Sequence, residues 1–215
     1  MKHNPLFLVV RLLIFSGLII FSNSLYAQIK VACIGNSITR GAGLNKTEAY
    51  PSQLQLILGG RYEVRNFGMS GYTLLKNGDL PYMKTKKYRD ALDWQPDIVI
   101  IKLGTNDSKP QNWKYKEEYL PNYLEMVNAF KDLPSHPKVY VCYPLPAFIP
   151  QGGINDSIIS NNIMPMVKKV AKQTKSKIIN LNKSFKGKGN LTSDGIHPTA
   201  EGAVYLAKQI AKAIK

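Results

Sequence analysis

The sequence predicts an α/β fold, a three-layer α/β/α sandwich on a five-stranded parallel sheet. Three observations point there. Five short runs rich in Val, Ile and aromatic residues alternate with stretches whose apolar residues recur at helical spacing. The runs are nearly continuous in apolar residues, as parallel strands covered on both faces are. Residues suited to chemistry cluster just after these runs, where open α/β sheets gather their ligands.

The chain opens with a segment set apart from that fold. Lys2, His3 and Arg11 precede or punctuate an apolar run over residues 12–21, polar Ser22, Asn23 and Ser24 follow, and Ala27 precedes Gln28. This reads as a secretory signal peptide over residues 1–27, cut near Ala27. Leu25 is not the small residue that a cleavage site prefers at that position. An uncleaved membrane anchor is the alternative, but the uncharged run is short for a bilayer. No Cys follows the run, which argues against a lipid-anchored form. Residues 28–215 are then expected to form one domain with no stable membrane anchoring.

Within that domain the elements follow in order. Residues 29–34 form the first strand. A helix over 47–58 carries Leu54, Ile57 and Leu58 on one face. Residues 62–67 form the second strand and 97–103 the third, the most apolar and therefore central. A helix over 119–130 carries Leu124, Val127 and Phe130, with Pro121 limiting where it starts. The fourth strand is 138–143. A helix over 158–174 carries Ile159, Ile163, Met166, Val167 and Val170. The fifth strand, 177–181, is the weakest. The last helix, 199–214, carries Ala203, Leu206, Ile210 and Ala213, with Thr199 near its cap. There is no internal repeat, linker or low-complexity segment.

Composition narrows the classes. A chain of 215 residues with 44% hydrophobic residues supports a stable core without staples. The formal charge is +15, and falls to +13 once Lys2 and Arg11 leave with the leader. Such a surface attracts anionic glycans, lipid headgroups or nucleic acid. The lysines are dispersed, however, and no basic motif interleaved with aromatics marks a nucleic-acid site. The simplest reading is a solvated basic face, and no nucleic-acid partner is expected. Cys33 and Cys142 each lie within an apolar strand, which favours two buried thiols over the disulfide open to an exported protein. No CxxC or HExxH occurs, and beyond the leader the only histidines are His136 and His197. No metal or other cofactor is expected.

The candidate chemistry lies in four strand-end loops. Ser37 follows Gly35-Asn36, Gly71 closes Gly68-Met-Ser-Gly71, Asn106 and Asp107 follow Gly104, and Asp194 and His197 lie three apart in Asp194-Gly-Ile-His197-Pro. A serine hydroxyl needs a base to become a nucleophile, a histidine is suited to that work, and a carboxylate holds the imidazole in the right tautomer. Taken singly, each residue has a plainer role: Ser37 as a helix cap, the others as turn or loop-stabilising residues. Gly71 and Asn106 have the chemistry of oxyanion donors, together with the backbone N–H of Ser37. Nucleotide readings fail on spacing, since residues 35–43 contain neither GxGxxG nor a P-loop lysine. Asn106-Asp107-Ser108 is formally a glycosylation sequon, which conflicts with a site there.

In this order, Gly-Asn-Ser37, Gly71, Gly104-x-Asn106-Asp107 and Asp194-x-x-His197 resemble the SGNH hydrolase superfamily, the GDSL-type esterases and lipases. The resemblance covers nearly all of the chain beyond the leader. It implies a flavodoxin-like sheet, a catalytic domain over 28–215 and metal-free serine esterase chemistry. Ser37 would be the nucleophile, Asp194 and His197 its triad partners, and Ser37, Gly71 and Asn106 the oxyanion hole. One departure stands out: the family's usual Gly-Asp-Ser is Gly-Asn-Ser at Asn36, which bears on tuning rather than activity.

The resemblance also implies an ester substrate: an acetylated sugar, a lysophospholipid, a thioester or a small aryl ester. Carbohydrate is favoured. The long loop after the fourth strand offers Tyr143 and Phe148 to stack on a sugar, and Asn155 and Asp156 to bind its hydroxyls, with ordinary loop packing as the alternative. The pattern around Gly153-Ile154-Asn155-Asp156 is similar to secreted sialate or polysaccharide O-acetylesterases of the superfamily. Trp113 either lines the pocket or packs on the surface. The competing readings are a lysophospholipase or thioesterase, and a glycan-binding module without turnover.

Overall fold

The computed structural model describes residues 27–215, so the expected leader lies almost entirely outside the described residues. Five parallel strands form one sheet: β1 (Ile29–Gly35), β2 (Tyr62–Gly68), β3 (Ile98–Lys102), β4 (Lys138–Cys142) and β5 (Lys177–Ile179), in the order β2-β1-β3-β4-β5. The apolar strand β3 is central as expected, and all five of its residues are buried. The helices are α1 (Ser37–Arg40), α2 (Tyr50–Leu58), α3 (Lys86–Asp93), α4 (Pro110–Trp113), α5 (Tyr119–Lys131), α6 (Asp156–Ile158), α7 (Met164–Thr174), α8 (Leu181–Phe185) and α9 (Ala200–Ile214). Helices α2 and α9 pack together on one face. On the other, α5 packs against α7, and Tyr88 of α3 meets Phe130 of α5 edge to face at 5.8 Å. This is the expected three-layer arrangement with crossovers that switch faces at β1.

The strand order follows from burial. β1, β3 and β4 are covered on both faces, and their Val, Ile and Cys side chains merge with α-helical residues into one core. Cys33 and Cys142 are free thiols in that core, each pushed up to about 12 by burial. β3 lies between their strands, so two strand spacings of about 4.8 Å part them, beyond the reach of about 7 Å that a disulfide allows.

Several boundaries differ from expectation for local reasons. α2 begins at Tyr50 rather than at residue 47, with Pro51 in the first turn, where its missing N–H costs nothing. The expected helix over 158–174 is a continuous helical run with a π turn, Ile159–Ile163, ahead of α7. Pro165 accounts for it, because a proline removes an N–H and crowds the carbonyl four residues back. Leu181 belongs to α8, capped by the Asn180 side chain, and not to the fifth strand. α3 had no expected counterpart. Tyr88, Ala91 and Leu92 do recur at helical spacing, but they are outnumbered by charged residues, and the Thr85 hydroxyl caps the helix on the Tyr88 N–H.

Candidate active site

Ser37 owes its position to glycines and a cap. Asn36 is the N-cap of α1, its Oδ1 accepting from the Ile38 N–H at 3.2 Å. Ser37 is therefore the first helical residue, and its own N–H has no acceptor within the helix. A Cβ at Gly35 would stand 2.0 Å from Thr39 Oγ1, and one at Gly68 2.2 Å from the Arg40 backbone N. Only glycines at these two strand ends allow α1 to sit against the sheet.

The second loop to reach the site is 192–198. Thr192 and Pro198 form an isolated antiparallel bridge, and the Ser193 N–H donates to the His197 carbonyl at 2.9 Å. Thr199 then caps α9 through its hydroxyl on the Gly202 N–H. Asp194 Oδ1 accepts from the N–H groups of Ile196 (2.9 Å) and His197 (2.7 Å), and Oδ2 lies 2.6 Å from His197 Nδ1. Burial pushes the Asp194 carboxyl up. The hydrogen bonds from His197 and Ile196 outweigh that and hold it below the ordinary carboxylate range. An ionised carboxylate only accepts, so Nδ1 carries the proton and Nε2 is left as an acceptor. Nε2 stands 2.8 Å from Ser37 Oγ. Serine, imidazole and carboxylate are thus joined in one hydrogen-bonded relay.

Two further loops close the site. Gly71 has φ +86°, a left-handed conformation that favours glycine. Asn106 donates one Nδ2 hydrogen to the Tyr72 carbonyl at 3.0 Å, which leaves the second hydrogen for the cavity. Asp107 is fully buried beside it and receives the Leu75 N–H at 2.8 Å and the Leu74 N–H at 3.2 Å. Burial pushes its carboxyl up to about 6. Asn112 adds bonds to Asp79 and to the Asn106 carbonyl. The loop carrying Gly71 is in this way stitched to the end of β3. Asn106 is 4% exposed, so a glycan on its amide does not fit this folded arrangement.

These groups line one cavity of 340 Å³, which Ser37, Gly71, Asn106, Asp194 and His197 share with Ala42, Ser70, Lys109, Gln151 and Ile154. Its volume lies within the range of about 300–1,000 Å³ usual for small-ligand sites.

The long loop after β4 does different work from that expected of it. None of Tyr143, Phe148, Asn155 or Asp156 lines the cavity. Tyr143 packs against the core. The Phe148 N–H donates to the Gly195 carbonyl at 2.8 Å, and a Cβ at Gly189 would meet its ring at 3.4 Å. Asn155 caps α6, and Asp156 accepts from the Ala147 N–H at 2.8 Å. Short polar side chains near a turn bond their own backbone first; both residues also line a neighbouring cavity that shares Gln151, Gly152 and Ile154 with the first. Gln151 of the same loop lines the cavity and donates to the Asp194 carbonyl. Trp113 packs on Tyr119 at 5.9 Å rather than in the cavity. Lys109, Gln151 and Ile154 escaped the sequence reading because no local pattern marks which loop residues turn inward.

Comparisons with known proteins bear on this site. The model of the GDSL-like Lipase/Acylhydrolase family matches residues 33–204. The chain is 45% identical over 207 residues to an acetylxylan esterase of Xylanibacter ruminicola, covering 87% of this chain and 43% of that protein. It is 28% identical over 167 residues to a multidomain esterase of Ruminococcus flavefaciens, covering 69% of this chain and 20% of that protein. The chain therefore spans less than half the length of either relative. Among solved structures, a carbohydrate acetylesterase from Sinorhizobium meliloti superimposes with a TM-score of 0.70 at 21% identity, covering 87% of this chain and 98% of that one. At that identity the likeness concerns the fold.

Proposed function

Because the chain belongs to the GDSL-like Lipase/Acylhydrolase family, we propose that it is a secreted serine esterase that removes O-acetyl groups from carbohydrate. The observation that carries this reading is the relay in which His197 lies 2.6 Å from Asp194 and 2.8 Å from Ser37. Ser37 Oγ attacks the ester carbonyl carbon while its proton passes to His197 Nε2. The imidazolium that forms is stabilised by ionised Asp194. The carbonyl oxygen becomes an oxyanion, received by the N–H groups of Ser37 and Gly71 and by Asn106 Nδ2. Collapse breaks the bond to the sugar oxygen, which takes the proton from Nε2 and departs as a hydroxyl, and leaves an acetyl ester on Ser37. Water deprotonated by His197 attacks that ester, and acetate departs as Ser37 regains its proton. No cofactor enters any step.

The small cavity supports a short acyl group, and the names of the two relatives support a carbohydrate ester. Residues 1–27 act as the leader that directs the chain outward, and the domain 28–215 acts as the catalytic unit. Among the described residues no helix is long and apolar enough to cross a membrane.

Hydrolysis of 4-nitrophenyl esters of graded chain length tests the reading, with Ser37→Ala as control. A preference for acetate that vanishes in Ser37→Ala supports it. A preference for octanoate or longer transfers the reading to lysophospholipids or thioesters. Absence of turnover, together with no fluorophosphonate labelling of Ser37, leaves a glycan-binding module.

A further inference from the structure

A second cavity of 490 Å³ adjoins the first. It is lined by Arg40, Lys46, Ser52, Asn66 and Lys87 and shares Ala42 with the cavity that holds Ser37. Arg40 also bonds across the boundary, its Nη1 donating to Ser70 Oγ at 3.2 Å, and Ser70 lines the first cavity. Three cations meet here with no carboxylate in the lining. Glu48 accepts the Asn45 N–H at 2.9 Å, and Asp90, whose charge also acts on Lys87, pairs with Lys86 at 2.5 Å. Among the described residues, none of the three cations forms a salt bridge.

Arg40 and Lys46 are exposed, and it is Lys87 that sets this wall apart from a solvated basic face. Lys87 is half-buried, its amine held by the Asn66 and Gly68 carbonyls at 3.4 Å each, with a third N–H to spare. Burial, and then the charge of Arg40, hold that amine below the ordinary lysine range against the pull of Asp90. Like charges gathered in a concave wall that holds no carboxylate favour an anion. Arg40 has donors beyond the one used on Ser70, and a guanidinium edge matches a carboxylate in two parallel bonds. Ser52 Oγ donates to the Lys46 carbonyl at 2.7 Å and keeps its acceptor lone pairs for a hydroxyl.

Resting on the esterase reading above, we infer that this basic cavity is a subsite for a carboxylate-bearing sugar, so that the substrate is an O-acetylated acidic oligosaccharide with its uronic acid at Arg40, Lys46 and Lys87 while the acetyl ester lies at Ser37. The subsite raises kcat/KM for the acidic substrate and takes no part in bond breaking.

The probe is an O-acetylated xylo-oligosaccharide carrying one glucuronic acid, compared with the same molecule after its carboxyl is reduced to the alcohol. The wild-type protein deacetylates the acidic form about three- to tenfold more efficiently, the scale of a charge-assisted hydrogen bond in a partly solvated site. The advantage shrinks as salt rises from about 0.01 to 0.5 M. It falls toward unity in Lys46→Gln and in Arg40→Gln. Equal efficiency on the two forms, or an advantage unchanged in both variants, overturns the inference. Binding of the unacetylated pair to Ser37→Ala keeps this separate from the esterase reading. A tighter Kd for the acidic form, weakened by adding Lys46→Gln, upholds the subsite even if acetate is never released. Equal Kd values, or no binding of either form, reject it.

Discussion

Ser37 Oγ and His197 Nε2 stand 2.8 Å apart although 160 positions separate the two residues in the chain. The contact exists because β1 lies near the middle of the sheet and the chain returns past β5 to the same edge before α9. Each partner is fixed by its own local structure, Ser37 by the Asn36 cap and His197 by two bonds to Asp194. A contact between two rigid loops needs little further ordering when substrate arrives, which is the entropic advantage of a preassembled site.

The Asp194 carboxylate holds the tautomer of His197, so Asp194→Asn is expected to lower kcat by about three to four orders of magnitude. The amide can present an N–H to Nδ1, which turns Nε2 into a donor facing a donor. The measurement is kcat on 4-nitrophenyl acetate beside circular dichroism. A folded variant with a loss under tenfold would show that Asp194 does not set the tautomer.

Asn106→Ala should raise the barrier by about 2.7–4 kcal/mol, the effect of removing one oxyanion donor. The loss falls on kcat, with KM little changed, because the donor meets charge only in the transition state. The variant also gives up the bond to the Tyr72 carbonyl, so a thermal melt accompanies the kinetics. An unchanged kcat removes Asn106 from the oxyanion hole.

Asp107 supplies two oxygens to two N–H groups, those of Leu74 and Leu75. Asp107→Asn leaves one acceptor for two donors, which costs on the order of 1–3 kcal/mol in the loop. We expect kcat to fall roughly tenfold as Gly71 loses its place. The charge has a separate signature. Burial raises the folded pKa to about 6 from 3.8, so this group's contribution to stability is greatest below about 4 and declines as pH rises through that window. Denaturant midpoints between pH 4 and 7 should show this decline in the wild type and a shallower one in the variant.

Lys102 is 1% exposed at the end of β3, and its Nζ has no partner among the described residues. Burial holds its amine at about 7, below the usual 10.5. The unfolded chain therefore binds an extra proton between these values, and stability rises with pH across the window. The penalty is full below about pH 7 and gone above about 10.5. Lys102→Met should add a few kcal/mol, in order of magnitude, at pH 7 and almost nothing near pH 10.5. Urea midpoints at the two pH values decide it, and an equal gain at both would assign the effect to packing alone.

The sequence by itself determined the order of elements, the parallel sheet with 98–102 at its centre, and the strand ends at which Ser37, Gly71, Asn106, Asp194 and His197 gather. These features are written locally, in apolar runs, helical spacing and the Gly, Asn and Asp residues that turns demand. Only the tertiary structure decided that Asn36, not Ser37, caps α1, that Asp107 ties the Gly71 loop to β3, and that Pro165 follows a π turn. It also decided that Gln151 and Ile154 face the cavity while Phe148, Asn155 and Asp156 hold the loop together, and that Arg40, Lys46 and Lys87 share one wall. The physical reason is that periodicity is a property of neighbours in the chain, whereas a loop side chain points where bonds to distant residues leave it room.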